Sequence, residues 1–178
     1  MVDNCHVTVA FSNDQYNNGF RNVNITISYF DNDGQIDIGT GEGILISGYD
    51  PANHQDAIEQ SDNDVQDTYE LCKGFDPTCL SEYNITANLF LLNTVEITPT
   101  FRGKGYGKFA MKEIIKFFQE VVLGTVIIIK PHPIVRGNTK QTTTEINVGI
   151  KKLQSYWKQC GFKRCKNTQY FFRECDLL

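Results

Sequence analysis

The chain has 178 residues, 40% of them hydrophobic and 12% aromatic, which is enough for one compact domain over residues 1–178 and too few for two full ones. No stretch reaches the roughly 18 uncharged apolar residues of a membrane span, so a membrane partner is not expected. The formal net charge of -4 conceals a segregation: residues 1–89 carry fifteen Asp and Glu against two Lys and Arg, whereas residues 90–178 carry fifteen Lys and Arg against six Asp and Glu. One half is suited to cations and the other to anions, unless the two are merely solvated faces that neutralise each other. The overall acidity argues against nucleic acid as a partner.

Met1 to Ala10 includes Asp3 and alternates polar with apolar residues, unlike the basic start and apolar centre of a signal peptide. The expectation is a soluble cytoplasmic protein. The six cysteines form no CxxC pair, and His6, His54 and His132 lie far apart, so buried free thiols and no metal are expected.

In chain order, His6 to Phe11 reads as a strand. Val23, Ile25, Ile27 and Tyr29 alternate with polar residues up to the turn Asp31-Asn32-Asp33-Gly34, and such alternation argues a half-buried strand. Gln35 to Ile38 and Ile44 to Tyr49 resume strand character, interrupted by Gly39-Thr40-Gly41-Glu42-Gly43, where a bulge or bend is expected. The acidic stretch from Pro51 to about Phe75 suggests one or two helices. Leu89 to Ile97 reads as a strand stopped by Pro99. Phe109, Ala110, Ile114, Phe118, Val121 and Val122 predict an amphipathic helix from Gly105, ended by Gly124. Thr125 to Lys130 has the continuous apolar run of a buried parallel strand. Arg136 to Thr144 reads as a polar loop, Ile150 to Cys160 as a last helix capped by Gly161, and Phe162 to Arg173 as a closing hairpin.

Between the Leu89 strand and its helix lies Ile97-Thr98-Pro99-Thr100-Phe101-Arg102-Gly103-Lys104-Gly105-Tyr106-Gly107. Alternate glycines entering a helix let backbone approach a ligand while the first-turn N–H groups, at the positive end of the helix dipole, point at it. That is chemistry for a pyrophosphate. The spacing matches neither a P-loop nor a dinucleotide fingerprint.

Arg102-x-x-Gly105-x-Gly107 at a strand-to-helix junction resembles motif A of the GNAT (GCN5-related) N-acetyltransferases, and the late helix running into Gly161-Phe162 resembles that family's second signature. The likeness covers about residues 88–175. The run Glu96 to Gly107, with Lys130-Pro131-x-Pro133, looks like a subgroup without an assigned substrate. The resemblance implies an α+β (α/β/α) fold: a mixed central sheet with antiparallel N-terminal strands and a βαβ acetyl-CoA-binding core. It implies acetyl-CoA as co-substrate, its pyrophosphate held by the amides of Gly103, Lys104, Gly105, Tyr106, Gly107 and Lys108 with charge from Arg102, and its pantetheine paired with the backbone of Ile97 and Thr98. Lys104, Lys108, Lys112 and Lys116 follow at helical spacing; Lys104 and Lys108 could touch phosphate, and Lys112 and Lys116 read as a solvated stripe.

Acetyl transfer to an amine needs a base for the ammonium proton and commonly an acid for the departing thiolate. Glu96, one residue before Ile97, is the candidate base; its alternative is a surface or hydrogen-bonded carboxylate. The resemblance implies a tyrosine acid four residues before Gly161, where Trp157 stands, which leaves adjacent Tyr156 as the candidate acid, rotated by about 100° on the helix. His132 could line the acceptor cleft; its alternative is an exposed loop histidine. The reading is an acetyl-CoA-dependent N-acetyltransferase acting on a cationic small-molecule or peptide amine drawn by Asp56 to Glu70. The alternative is a non-catalytic acyl-CoA-binding module of the same fold.

Overall fold

The acidic turn Asp31-Asn32-Asp33-Gly34 is where the sheet is built from. The Asp33 amide donates to the Asp31 carboxylate at 2.9 Å, and Gly34 takes φ +126°, which side chains rarely tolerate. On either side run β2 (Phe20–Asp31) and β3 (Gly34–Ile46), and β1 (Cys5–Phe11) pairs antiparallel with β2. The computed structural model describes residues 4–12, 20–47, 88–130, 142–165 and 169–175. The expected acidic helices, His54, His132 and the segment 131–141 lie outside the described residues.

The other strands are β4 (Asn88–Ile97), β5 (Thr125–Ile129), β6 (Lys163–Arg164) and β7 (Phe171–Cys175). They complete one seven-stranded sheet in the order β1-β2-β3-β4-β5-β7-β6. β4 and β5 are parallel and the remaining neighbours antiparallel. Helix α1 (Tyr106–Val121) joins β4 to β5, and α2 (Thr143–Gln159) precedes the closing hairpin. This is the mixed sheet with antiparallel N-terminal strands and a βαβ unit that the sequence implies.

Helix α1 packs Tyr106, Ala110, Met111, Ile114, Ile115 and Phe118 inward, at the spacings of one helix face. Phe118 stacks on Phe90 of β4 with ring centroids 4.3 Å apart, tying the crossover helix to the strand it leaves. The core face is turned slightly from the expected one, and Val121, at the last helical turn, is 59% exposed.

The glycine run on β3 does not interrupt the strand. Residues 34–46 are continuous, because side chains on Gly39, Gly41 and Gly43 would run into the β4 carbonyls of Glu96, Thr94 and Leu91. The glycines serve close approach of β3 to β4. The expected irregularity is there in the pairing with β4, whose register shifts between Glu42 and Gly43, and a second one precedes it at Ile38, which is extra between the pairs Ser28–Asp37 and Ile27–Gly39.

The second helix begins earlier than its apolar pattern suggests. Thr142 accepts from the Glu145 amide, and the Glu145 carboxylate accepts in return from the Thr142 amide at 2.8 Å. This reciprocal capping box starts the helix at Thr143, inside what reads by composition as a polar loop. Cys5 and Cys160 are free and buried, as expected, but Cys165 is disulfide-bonded, which corrects the free-thiol expectation there.

Candidate functional site

Two irregularities of β4 make a cleft. Its parallel pairing with β5 runs only from Asn88–Thr125 to Leu91–Ile128. Immediately afterwards Asn93 is extra on β4, because Leu92 lies opposite Gly43 and Thr94 opposite Glu42. Such a bulge bends its strand, and among the described residues β4 from Leu92 to Ile97 pairs with β3 alone. Its other edge is therefore open among the described residues.

The direction of the peptide groups along that edge follows from the ladder. The Thr98 amide donates to the Ile38 carbonyl at 2.8 Å, so Thr98 and Glu96 address β3. By the alternation of an antiparallel pair, Val95 and Ile97 turn their N–H and C=O groups toward the open edge. Of the two residues expected to meet pantetheine, Ile97 turns its peptide groups to that edge, whereas the Thr98 amide is bonded within the sheet. Val95 is the position that sequence reading missed; its signal was the period of two, counted back from Ile97.

Beyond Ile97 the chain tightens. Pro99–Phe101 form a single 3₁₀ turn, in which the Phe101 amide donates to Thr98 O at 2.9 Å and the Arg102 amide to Pro99 O at 3.2 Å. Gly103 and Gly105 take φ +76° and +88°. A β-carbon on either would meet nothing within 4 Å, so these glycines answer to backbone conformation and leave the loop surface bare. No side chain caps α1, whose first internal bond in the loop runs from Phe109 N to Gly105 O at 3.1 Å. The helix itself offers no partner to the Tyr106, Gly107 and Lys108 amides, an arrangement that receives anions. Tyr106 contributes only backbone, because its ring is buried edge-on to Tyr29 and Phe101. Lys104 holds its ammonium 5.2 Å from the Phe101 ring centroid, a cation–π distance.

Arg102 does not extend into the loop. Its Nη2 donates to Glu96 Oε1 at 2.7 Å and its Nε to the Ile97 carbonyl at 2.8 Å. The side chain of Glu96 is 14% exposed and that of Arg102 53%. The candidate base is thus ion-paired with the residue expected to neutralise phosphate, and one acceptor of the open β4 edge is covered.

The two aromatic candidates on α2 are separated by the helical rotation. Trp157 is buried and packs edge-on to Phe162 and Tyr156, its indole N–H without a hydrogen-bond partner among the described residues. It belongs to the core. Tyr156 instead brings its hydroxyl to 3.3 Å from where a β-carbon on Gly107 would stand, with the Ile97 side chain 3.8 Å from that same point. Gly107 is what admits the phenol. The hydroxyl therefore sits at the loop end of the cleft. Burial, with the Cys160 thiol beside it, raises the Tyr156 pKa well above its ordinary 10.0, keeping the phenol protonated at neutral pH.

Cys160 and Arg173 complete this corner and were not singled out by sequence. Arg173 Nη1 donates to the Cys160 carbonyl, and Lys108 and Arg173 both act electrostatically on the Cys160 thiol, although burial dominates and raises its pKa. From here a groove of about 1000 Å³ follows α1, walled by Gly105, Lys108, Lys112, Lys116, Cys160 and Arg173 among others. Lys112 and Lys116, expected as a solvated stripe, are exposed and line this groove.

No family model matches the chain, and no curated protein matches it in sequence. Among solved structures, AtaTR bound with AcCoA aligns at a TM-score of 0.43 and 11% identity, over 97% of this chain and 95% of that one. Arabidopsis thaliana NAA60 in complex with a bisubstrate analogue aligns at 0.45 and 13%, over 86% and 76%. A KacTA–DNA complex aligns at 0.46 and 9%, over 96% and 93%. These are distant likenesses, and the roles assigned below come from this chain's own residues.

Proposed function

We propose that the protein is an acetyl-CoA-dependent N-acetyltransferase acting on a primary amine. One observation carries the reading: the glycine-shaped N-terminus of α1, which receives anions, adjoins the β4 edge left open where β4 and β5 part. A ligand with a pyrophosphate at one end and an amide-bearing arm fits that pair of features.

In this reading the amides of Gly103 to Lys108 hold the pyrophosphate, and Lys104 and Lys108 add charge. Val95 and Ile97 present N–H and C=O groups to the pantetheine amides as an added strand would, and the groove along α1 takes the nucleotide end. Acetyl-CoA supplies the acyl thioester. Glu96 takes the ammonium proton through water, the freed amine bonds to the thioester carbon, and the C–S bond breaks as the thiolate leaves and takes the amine's second proton through water; Tyr156, protonated and beside Gly107, hydrogen-bonds the phosphate end. The acceptor is cationic on the argument of the acidic N-terminal half alone.

A second reading, a non-catalytic acyl-CoA-binding module, is favoured by the engagement of both candidate proton carriers: Glu96 with Arg102, Tyr156 beside Gly107. Thiol release from acetyl-CoA across a panel of primary amines separates the two. Amine-dependent release supports the transferase; measurable acetyl-CoA binding without release supports the module.

A further inference from the structure

The position of Arg102 is at odds with a simple phosphate ligand. Its guanidinium fork closes back on β4, with one nitrogen on the Glu96 carboxylate and another on the Ile97 carbonyl, at 2.7 Å and 2.8 Å. By the register of β3 and β4, that carbonyl faces the open edge. An extended amide-bearing ligand would need it as an acceptor, and the arginine already occupies it.

We infer that Arg102 is a specificity-determining latch, which keeps the Ile97 edge closed to ligands lacking a phosphate end. The inference rests on the acetyl-CoA reading above and adds what discriminates among thioesters. Arg102 is half exposed and lies just before Gly103 and Gly105, both in the left-handed region, so its side chain has room to turn toward the loop. A pyrophosphate at the α1 N-terminus competes with Glu96 for the guanidinium, since multiply charged oxyanions bind the arginine fork as well as carboxylates do. As the guanidinium turns to the phosphate, the Ile97 carbonyl becomes available to the arm of the same ligand. A thioester with an identical arm but no phosphate has nothing to exchange for Glu96 and meets a covered edge. A ligand shifts such an equilibrium only by its differential affinity for the two arrangements, and only the phosphate end provides that difference.

The test compares CoA with pantetheine, which carries the arm without phosphates, using chemical-shift titration so that weak binding is read. Arg102→Ala should weaken CoA at least tenfold and tighten pantetheine at least threefold, so the two ligands move in opposite directions. Glu96→Gln loosens the hold on Arg102 without removing the guanidinium, and should tighten CoA severalfold; it also serves if Arg102→Ala does not fold. Equal losses for both ligands in Arg102→Ala, or unchanged CoA affinity in Glu96→Gln, would overturn the latch. If folded wild-type protein binds neither ligand, the acetyl-CoA reading itself fails and the latch with it.

Discussion

The Tyr156 hydroxyl stands 3.3 Å from the point a β-carbon on Gly107 would occupy, so the entry of α1 and the last turns of α2 approach each other at a position that has no side chain. Glycine inside a helix ordinarily costs about 1 kcal/mol relative to alanine. Here alanine would press on the phenol, and the two effects oppose each other. Gly107→Ala should stabilise the protein less in the presence of Tyr156 than in a Tyr156→Phe background. A double-mutant cycle by urea denaturation should give a coupling of about 0.5 kcal/mol or more, in the range found for residues in contact. Additive effects would mean that the two residues do not touch in solution.

Gly105 offers a cleaner separation of folding from binding. Its φ of +88° costs a side chain roughly 1–2 kcal/mol, but a β-carbon there finds open space. Gly105→Val should therefore fold with modestly lowered stability while weakening CoA at least tenfold, about 1.4 kcal/mol. Calorimetric titration checks this, and unchanged affinity in the folded variant would remove the loop from the binding site.

The start of α2 rests on a reciprocal pair. Thr142→Ala removes the hydroxyl that caps the helix and should lower stability by about 1 kcal/mol in urea denaturation. Glu145, hydrogen-bonded by the Thr142 amide and hydroxyl, has its pKa held below the ordinary 4.5. A depressed carboxylate stabilises the fold above its unfolded pKa, and that contribution fades as pH falls through the folded value. Glu145→Gln should flatten the stability profile below about pH 4.5, and an unaltered acid limb would count against the pairing.

At the alkaline end the sign reverses. Burial raises the pKa of Cys5 and Cys160 above 9.0 and that of Tyr156 above 10.0. Groups whose folded pKa is raised favour the fold fully below their unfolded values, and their contribution is lost as pH climbs toward the folded ones. Stability should decline from about pH 9 upward, and Tyr156→Phe should remove the part that sets in above pH 10. Denaturation midpoints between pH 7 and 11 provide the check; identical slopes in both proteins would place the phenol in water.

The sheet was largely legible because its strands follow periods of two and its helix α1 a period of 3.6, both imposed by burial on one face. Positions where a partner strand decides were less legible. Nothing local in Gly39 to Gly43 says that the chain stays extended there, since the reason is the closeness of β4 carbonyls. The start of α2 was legible in principle, as Thr142-x-x-Glu145, but polar composition outweighed the capping signal. In the site, the glycines of the loop follow from backbone chemistry alone. The fate of Arg102 does not, because whether a guanidinium faces outward or folds back depends on a carboxylate six residues earlier, brought near only by the 3₁₀ turn at Pro99.

Trp157 is the only tryptophan in the chain and is 6% exposed. Its emission therefore reports a single environment, blue-shifted while the ring stays buried. The Tyr156 ring lies 4.8 Å away, centroid to centroid, and will pass its excitation to the indole. Since the hydroxyl of that same tyrosine borders the glycine loop, whatever settles on the loop alters the donor of this pair. The native protein thus carries an optical probe of its own cleft, readable without label or acceptor substrate.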